Sequence, residues 1–474
     1  MRIAHLSSEV APFSKTGGLA DVAGALPLAL AALGHEVTVI APAHRTSMKE
    51  QPPGEPQGEV RALGLTATPR VLEQRGVRFV FLDCPALFVR PALYSLPDGD
   101  FPDNPVRFAF FARAALEALV LLGGADIVHA HDWQAALAPL WLRHDLHARA
   151  ALPGARTALT VHNLAYQGVF APWVLEACGL PRALFTVEGL EFYGQVSFLK
   201  GGLVSAEAIN TVSPTYATEI LTPEFGCRLE GVLTARRDAL VGILNGIDVE
   251  EWDPARDPHL GRAYQASDVI PGKRAARESL AQETAMSPGP RPLLGMVSRL
   301  AEQKGADVLA AALDDIVEMG FDLVVLGTGE RRYEDAMRAA EAAHPGRVRA
   351  FLRFDERLAH RIYAASDFFL MPSRYEPCGL GQMIAMRYGS LPVVNRTGGL
   401  ADTVTDASED AGTGFVLTAL TPTELTATLF RARELFRNPT RLARLRRRAM
   451  AQDFSWSASA REYAKLYERL LGRS

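Results

Sequence analysis

Several loops of this chain combine a cation or a carboxylate with glycines, directly after runs rich in Val, Ile and Leu. The first is Lys15-Thr16-Gly17-Gly18-Leu19, which precedes an Ala-rich apolar stretch. Paired glycines let backbone amides approach a ligand closely, a helix N-terminus favours an anion, and Lys15 adds a positive charge. The loop has neither the P-loop order nor GxGxxG, which disfavours a dinucleotide site. A flexible surface loop with a solvated lysine is the equally weighted alternative.

Loops in the second half of the chain predict a cradle for a diphosphate. Arg299 supplies a planar donor fork and Lys304 a compact charge, and the two can converge on one ligand. Glu376 stands before Cys378-Gly379-Leu380, whose amides would face an anion, and its carboxylate would accept from a sugar hydroxyl or balance an oxocarbenium-like charge. The turn Thr397-Gly398-Gly399-Leu400 opens another helix beside it. Surface ion pairs, and a glutamate that only favours a helix N-terminus, are the alternatives.

Two further motifs are incomplete. Gly327-Thr328-Gly329-Glu330 begins like a dinucleotide fingerprint but lacks the third glycine, so it predicts a tight turn near a nucleotide base or ribose. Asp98-Gly99-Asp100 has the form of a DxD metal motif, but its turn-rich surroundings predict a turn. The basic run Arg441–Arg448 alternates with leucines at helical spacing, which predicts the solvated face of an amphipathic helix rather than a nucleic-acid site.

Strand ends in the first half carry side chains that suit a sugar. His129 and His131 share one face of a strand by period-two alternation, and Asp132 and Trp133 follow at its tip. Further metal ligands at a convincing spacing are missing, so a metal is disfavoured. Carboxylates accept from hydroxyls, and indoles stack on sugar rings. Thr160-Val161-His162-Asn163 ends the next strand, where a buried histidine satisfied by backbone is the alternative.

A repeated order of strand, loop and helix must position these loops, and it predicts parallel sheets. The order restarts near residue 290 after a proline-containing joint at 245–290. We therefore expect an α/β protein with two doubly wound, Rossmann-like domains facing a deep cleft, with ligands beyond the carboxyl ends of the strands. Residues 46–69 are expected to be irregular. The predicted strands include 2–10, 35–40, 77–83, 126–131, 157–162, 293–297, 323–326, 348–351, 368–371 and 393–394.

Composition limits the class of protein. The 474 residues are 48% hydrophobic and 22% charged with a net charge of −4, which fits a globular chain without a global basic field for nucleic acid. Its four cysteines form no CxxC pair, which disfavours a zinc ribbon or a disulfide framework. The N-terminus lacks the features of a secretory signal, and no apolar run reaches the ~20 residues of a membrane span. A cytoplasmic protein is expected.

Taken in order, the motifs resemble those of bacterial glycogen synthases, retaining glycosyltransferases of family 5 with the GT-B fold, which are similar to starch synthases. The match runs from Lys15 to Asp402. Besides the loops at Lys15, Arg299, Glu376 and Thr397, it is carried by His131-Asp132-Trp133, Thr160-Val161-His162-Asn163-Leu164-Ala165-Tyr166-Gln167-Gly168, Asn245-Gly246-Ile247-Asp248 and Gln303-Lys304-Gly305.

The resemblance implies that ADP-glucose donates glucose to the non-reducing end of an α-1,4-glucan with retention, releasing ADP, without a metal or PLP. It implies an acceptor-side domain at 1–245, a nucleotide-sugar domain at 246–454, a last helix at about 455–474 that crosses back, and a hinge at 245–252. The implied residues are Glu376, Arg299, Lys304, His162 and Asp132 for catalysis; Lys15, Gly17, Gly18, Asn245, Arg299, Lys304, Gly327, Cys378, Gly379, Leu380, Gly381, Thr397 and Gly398 for the donor; and Asp21, Tyr94, His131, Trp133 and Asn163 for the acceptor or sugar.

Gly381 departs from the family, which commonly has Thr there, so phosphate binding would weaken if the family position acts through a hydroxyl. No second nucleophile is evident, which favours same-face attack through an oxocarbenium ion pair over a covalent intermediate. Three alternatives stay open: a related transferase that uses UDP-glucose or another acceptor, a non-catalytic sugar-binding protein, and an enzyme that uses NAD or PLP.

Overall fold

The computed structural model describes residues 1–48, 52–287 and 289–473. They form two compact units: unit 1 comprises Met1–Gly246 and Trp456–Ser474, and unit 2 comprises Ile247–Ser455. The domain limits expected from the sequence lie one residue before these bounds. Parts of the predicted excursion (49–51) and joint (288), and position 474 of the predicted last helix, lie outside the described residues.

Unit 1 is built on a mainly parallel sheet. The strands of unit 1 are β1 (Arg2–Leu6), β2 (Glu36–Pro42), β3 (Glu55–Pro56), β4 (Val60–Ala62), β5 (Leu65–Gln74), β6 (Val77–Asp83), β7 (Ser95–Leu96), β8 (Gly99–Asp100), β9 (Ile127–His131), β10 (Arg156–Val161), β11 (Val169–Phe170), β12 (Glu191–Phe192), β13 (Gln195–Ser197), β14 (Ala208–Thr211) and β15 (Leu240–Gly242). Two small antiparallel sheets, β7-β8 and β11-β13-β12, are separate from the main sheet. Strands β15-β14-β10-β9-β1-β2-β6 run parallel in this spatial order. The direction of the chain along the sheet therefore reverses at β1, a switch point of the kind where such sheets bind ligands.

Helices cover both faces of this sheet, which is why its central strands are buried along almost their whole length. They are α1 (Gly18–Ala32), α2 (Arg45–Met48), α3 (Pro85–Phe88), α4 (Asn104–Leu121), α5 (Asp132–Ala135), α6 (Leu137–His144), α7 (Leu146–Ala151), α8 (Val174–Ala177), α9 (Phe198–Ser205), α10 (Pro214–Glu219) and α11 (Glu230–Ala235).

Two sequence-based expectations for unit 1 are wrong in detail. The irregular excursion at 46–69 contains β4 and the start of β5, and β5 pairs antiparallel with β6. The polar composition of this segment hid the inside-out alternation of β5, a half-exposed strand that lies between β6 and the short strands β3 and β4. The first strand ends at Leu6 rather than at residue 10, because the backbone after it turns to place Glu9 beneath the Lys15 loop.

Unit 2 repeats the doubly wound pattern. Its strands are β16 (Leu293–Val297), β17 (Asp322–Leu326), β18 (Val348–Phe351), β19 (Phe368–Met371), β20 (Leu391–Asn395) and β21 (Phe415–Leu417), and its helices are α12 (Val269–Thr284), α13 (Ala306–Glu318), α14 (Arg331–Ala343), α15 (Glu356–Ala365), α16 (Gly381–Arg387), α17 (Gly398–Thr403), α18 (Pro422–Phe436) and α19 (Pro439–Met450). The parallel order β18-β17-β16-β19-β20-β21 puts the switch point between β16 and β19. The predicted α/β class with two doubly wound domains is confirmed.

The basic run belongs to α19, as its spacing predicts. Leu442 and Leu445 are buried. Arg446 also points inward, and its Nη2 lies 2.5 Å from Asp367 Oδ1. The run therefore forms an amphipathic helix as predicted, but one of its arginines, Arg446, is buried in an ion pair instead of facing solvent.

The chain returns to unit 1 with α20 (Trp456–Leu470), which packs on α1. Tyr463 and Tyr467 are completely buried. The Tyr467 hydroxyl lies 2.7 Å from His129 Nδ1, and Asn210 Nδ2 donates to the Tyr463 hydroxyl at 3.0 Å. Across residues 1–48, 52–287 and 289–473, no helix combines the length and apolarity needed to cross a membrane.

Candidate active site

Two predicted catalytic side chains are in direct contact at the switch point of unit 2. Lys304 Nζ lies 2.5 Å from Glu376 Oε2, and Ser373 Oγ donates to the same oxygen at 3.0 Å. Glu376 is only 7% exposed. A buried ion pair offsets its desolvation only with good geometry and added hydrogen bonds, so it is weak evidence of a stabilising role. It does place a cation beside a carboxylate where such sheets bind ligands.

Backbone contacts hold together the loops that carry this pair. Gly305 has a φ of +71°, and a Cβ there would lie 2.0 Å from the Pro372 carbonyl oxygen, so the approach requires glycine. Arg374 N donates to the Gln303 carbonyl at 2.8 Å. The loops after β16 and β19 therefore form one rigid feature of unit 2.

Arg299 is exposed and is linked to this feature through Gln303. Its Nη2 donates to Gln303 Oε1 at 3.1 Å, and Gln303 Nε2 lies 3.4 Å from the Tyr375 carbonyl. Sequence reasoning assigned no role to Gln303. The signal in the sequence was its position between the two predicted cations, and its side chain links Arg299 to the loop that carries Glu376.

Gly327 contributes through its backbone. Its φ is +151°, and a Cβ there would lie 1.8 Å from the Ser298 carbonyl oxygen. Leu300 N donates to the Thr328 carbonyl at 2.9 Å. The Gly327 turn thus supports the strand end that carries Arg299, and its predicted contact with the donor stays a prediction.

The loops at Glu376 and Thr397 pack side by side, as predicted. Gly399 N donates to the Glu376 carbonyl at 3.1 Å, and a Cβ on Gly398 would lie 2.0 Å from that same oxygen. Because the Gly399 N–H already has this partner within the protein, it is not free to bind a phosphate, and the predicted phosphate cradle has one donor fewer. Between these loops, Cys378 is buried, Gly379 has a φ of +72°, and Leu380 caps α16.

Gly381 begins α16 in a space already filled by larger side chains. A Cβ there would lie 3.1 Å from Met371 Sδ and 3.3 Å from both Phe369 Cε1 and the Tyr363 hydroxyl. We expect Gly381→Thr to destabilise unit 2 by about 1–3 kcal/mol through overpacking, measured as a lower denaturant midpoint. Gly381→Ala is the control, because the better helix propensity of alanine (about 1 kcal/mol) offsets part of the crowding. A threonine variant as stable as the parent that binds ADP more tightly would contradict this account.

In unit 1 the Lys15 loop lies beyond β1. Lys15 Nζ contacts Asp21 Oδ1 at 2.6 Å, with the two side chains 55% and 34% exposed. Exposed pairs of this kind contribute about 0–1 kcal/mol, so an anionic ligand can displace Asp21 at little cost. A Cβ on Gly17 or Gly18 would meet nothing within 4 Å, so both glycines border open space, although the backbone N–H of Gly17 already donates to Glu9.

Glu9 is a functional candidate that sequence reasoning missed. It is 4% exposed, accepts from the backbone N–H of Thr16, and accepts from Thr16 Oγ1 at 3.0 Å and from the Tyr94 hydroxyl at 3.1 Å. Burial raises the pKa of Glu9, and the hydrogen bonds from Thr16 oppose the rise. Tyr94, predicted to contact a sugar, thus also helps Glu9 hold the Lys15 loop. The only sequence signal was a carboxylate immediately after an apolar strand.

Asp132 and His162 meet at the ends of β9 and β10. The Asp132 Oδ1 accepts from the backbone N–H of His162 at 2.7 Å. Asp132 has a φ of +53°, an unusual value for a residue with a side chain, and such strain concentrates at functional sites. Asn163 Oδ1 accepts from Ala165 N at 3.0 Å and shapes the turn after β10. The structure therefore brings the predicted residues Asp132, His162 and Asn163 together.

Asp132 should titrate near neutrality. Burial raises its pKa to about 7, with a smaller contribution from the charge of Glu9, while backbone N–H groups of His162 and Asn163 lower it. If the carboxylate is the active form, kcat/KM rises with pH through about 7, and Asp132→Asn abolishes this rise.

The free energy of unfolding should fall with rising pH, in contrast to the expected rise in kcat/KM. The folded state binds this proton more tightly than the unfolded state, whose pKa is about 3.9, so stability falls as pH rises from about 4 to about 7. Asp132→Asn should therefore raise the melting temperature more at pH 8 than at pH 4. An equal effect at both would contradict the raised pKa.

His131 is completely buried, which corrects the expectation that its side chain contacts a sugar. Its Nδ1 lies 3.0 Å from His162 Nε2, and its Nε2 lies 3.0 Å from His5 Nδ1. Strand alternation placed His131 on the correct face, but only the packing of β1 and β10 on either side of β9 determines that this face is closed.

Trp133 is also largely buried, yet its ring lines a pocket of about 490 Å³. Gly168, with a φ of +58°, lies directly against the indole, and a Cβ there would be 2.5 Å from it. Tyr166 and Trp173 line the same pocket and are 59% and 55% exposed. Exposed aromatic rings beside polar backbone suit a sugar chain. The sequence motif quoted Tyr166, but nothing in it indicated Trp173.

Asn245 lies at the end of unit 1. It is 8% exposed, and its Oδ1 has no hydrogen-bond partner among the described residues. A buried acceptor of this kind costs free energy unless a ligand or water satisfies it. Its predicted contact with the donor stays a prediction.

Two groups of side chains have the composition of metal ligands within the part of the chain that the structure describes: His5, His129 and His131, and Glu251, Glu356 and His360. In the first, the rings of His129 and His131 stack at 4.4 Å with an interplanar angle of 27°. A metal lies in the plane of each imidazole that binds it, so stacked rings do not direct their lone pairs to one ion. That no metal takes part stays a prediction.

Comparison with known proteins agrees with this geometry. A family model described as the starch synthase catalytic domain matches residues 2–235, and one described as glycosyl transferases group 1 matches residues 291–433. A glycogen synthase of Anaeromyxobacter dehalogenans is 50% identical over 99% of both chains. One from Koribacter versatilis is 44% identical over 99% of this chain and 98% of its own.

Solved structures give the same result. The catalytic domain of starch synthase IV from Arabidopsis thaliana, bound to ADP and acarbose, matches with a TM-score of 0.89 and 34% identity over 99% of both chains. Sucrose-phosphate synthase from Thermosynechococcus elongatus matches at 0.63 and 19% identity, a similarity of fold alone. The chain therefore belongs to the glycogen and starch synthases, the glycosyltransferases of family 5, and has their GT-B fold.

Proposed function

We propose that this enzyme transfers glucose from ADP-glucose to the non-reducing end of an α-1,4-glucan with retention of configuration and releases ADP. The observation that carries the proposal is the contact of Lys304 with Glu376, flanked by Arg299. A leaving diphosphate needs cations that are already in place, and a transferred glucosyl group needs a carboxylate nearby. The relatives named glycogen synthase support the substrate class.

In this mechanism Lys304 and Arg299 bind the diphosphate. The charge on the diphosphate grows as its bond to glucose breaks, so fixed cations bind the transition state more tightly than the ground state. Lys304 then exchanges part of its contact with Glu376 for phosphate oxygens. The Lys15 loop adds the charge of Lys15 and the N-terminus of α1 to the binding of the nucleotide sugar.

Residues of unit 1 bind the glucan. The pocket lined by Trp133, Tyr166 and Trp173 offers aromatic faces to successive sugars. Asp132 and His162 supply a carboxylate and an imidazole at the adjoining strand ends. The structure of starch synthase IV from Arabidopsis thaliana is bound to ADP and acarbose, which supports the binding of a nucleotide and a glucan by this enzyme.

Retention follows from same-face attack through a short-lived ion pair. Glu376 Oε2 accepts from Lys304 Nζ and Ser373 Oγ, and a carboxylate held in this way can balance the positive charge that develops on the sugar. Trapping of a glucosyl adduct on Glu376 would contradict this step. We expect no metal to be needed, because Arg299 and Lys304 supply the charge that a metal would, and turnover should survive EDTA.

The test is release of ADP from ADP-glucose with glycogen as primer, with UDP-glucose in parallel. Primer-dependent turnover that prefers ADP-glucose and is lost in Glu376→Ala supports the proposal. Preference for UDP-glucose would reassign the donor. Tight ADP binding without turnover on any glucan would contradict the proposed reaction.

A further inference from the structure

Three imidazoles form a single line from the core of unit 1 to the end of β10. His5 Nδ1 lies 3.0 Å from His131 Nε2, and His131 Nδ1 lies 3.0 Å from His162 Nε2. His5 and His131 are completely buried, whereas His162 is half-buried. The three rings come from neighbouring strands β1 and β9 and from the residue after β10. The sheet itself therefore fixes their order.

The number of protons determines how such a line can be arranged. A neutral imidazole has one N–H and one ring nitrogen with a free lone pair. Each contact along the line needs an N–H from one ring and a lone pair from the next. If His131 donates to His162, it must accept from His5, and if it accepts from His162, it must donate to His5. The line therefore has two states only, and the tautomer of His162 is coupled to that of His5. Burial keeps all three rings neutral, because it lowers the pKa of His5 and His162 to about 3 and that of His131 well below its ordinary value.

The buried end of the line selects between the two states. His5 Nε2 has no hydrogen-bond partner among the described residues and no access to solvent. If the line pointed inward, this nitrogen would carry an N–H with no acceptor, and buried N–H groups without an acceptor are rare in proteins. An outward line leaves only a lone pair there. Its far end is then an N–H on His162 Nδ1.

We propose that His5 and His131 are positioning residues that hold His162 as its Nδ1–H tautomer, so that His162 offers a fixed hydrogen-bond donor to an oxygen of the bound sugar. This role rests on the proposed function, in which His162 is one of the residues of unit 1 that bind the glucan. His131 was predicted to contact a sugar directly; in this proposal it acts on the sugar only through His162. Fixing the tautomer removes a competing state in which the same nitrogen could only accept a hydrogen bond.

The direct test is spectroscopic. Protein labelled with nitrogen-15 at histidine distinguishes protonated from bare ring nitrogens, and signals are assigned by their loss in His162→Gln and His131→Asn. We expect His162 to show a protonated Nδ1 and a bare Nε2, and His131 a protonated Nδ1. A protonated Nε2 on His162 in the wild type would overturn the proposal, as would exchange between two tautomers.

Paired substitutions separate positioning from packing. An asparagine amide lies near the place of an imidazole Nδ1 and can donate, whereas a leucine of similar size cannot. We therefore expect His5→Leu and His131→Leu to lower kcat by about 10–100-fold with little change in KM for ADP-glucose, and His5→Asn and His131→Asn to restore most of it. His129→Asn is the matched control, since His129 is as buried but bonds to Thr160 and Tyr467 outside the line. It should leave the His162 tautomer unchanged.

The outcomes distinguish this inference from the proposed reaction. If Glu376→Ala abolishes transfer while His5→Leu has wild-type kcat and an unchanged His162 spectrum, the line has no positioning role and the reaction stands. If the wild type transfers no glucose, the reaction is wrong, and the tautomer spectrum still decides how the line is arranged. Equal loss of kcat in the leucine and asparagine variants would also overturn the inference, because it would indicate packing alone.

Discussion

Lys304→Met is expected to lower kcat for glucosyl transfer by about 10²–10³-fold, the loss typical when one preorganised group that stabilises developing charge is removed. KM for ADP-glucose should change much less, because the charge that Lys304 meets is largest in the transition state. Glu376→Ala should abolish turnover. Steady-state ADP release over a range of ADP-glucose concentrations at saturating glycogen measures both parameters.

Variants of the two members of the ion pair can separate an effect on catalysis from an effect on folding. Lys304→Met leaves the nearly buried Glu376 without its cation, which should lower the melting temperature. Adding Glu376→Gln removes the unpaired charge, so the double variant should regain stability without regaining activity. Lys304→Arg keeps the charge and should retain more kcat than Lys304→Met. Equal activity of Lys304→Met and wild type, or recovery of activity in the double variant, would contradict the assigned role.

Removal of residues 456–474 is expected to unfold unit 1. The lost segment buries Trp456, Tyr463, Leu466 and Tyr467. Each such side chain contributes about 1.5–3 kcal/mol, and the four together approach the ~5–15 kcal/mol that stabilises a whole domain. Calorimetry should show loss of one unfolding transition and survival of the transition of unit 2, with glucosyl transfer abolished.

Two controls sharpen this experiment. Removal of residues 472–474 leaves α20 intact and should change neither transition. Tyr467→Phe keeps the buried ring but deprives His129 Nδ1 of its partner, so it should cost about 1–3 kcal/mol without unfolding the unit. Full activity after removal of 456–474 would show that α20 is dispensable for the fold of unit 1.

Much of the architecture could be predicted because it is local. Apolar runs gave the limits of β16, β18 and β19 as the structure has them, and strand alternated with helix as parallel sheets require. The loops with candidate chemistry were found for the same reason, since glycines, cations and carboxylates after a strand stand out from its apolar background. Strand β5 was not predicted, because half-exposed strands lack such an apolar run.

Other features depend on contacts between distant parts of the chain. The amino-acid sequence by itself determined two doubly wound domains, a cationic loop at Arg299 and Lys304, and a carboxylate at Glu376. Only the tertiary structure decided that Lys304 and Glu376 touch, because this follows from the switch in strand order between β16 and β19. The same is true of Glu9 beneath the Lys15 loop and of His5 behind His131. Pattern and propensity describe neighbours along the chain, whereas burial and hydrogen-bond partners are set by which strands lie side by side.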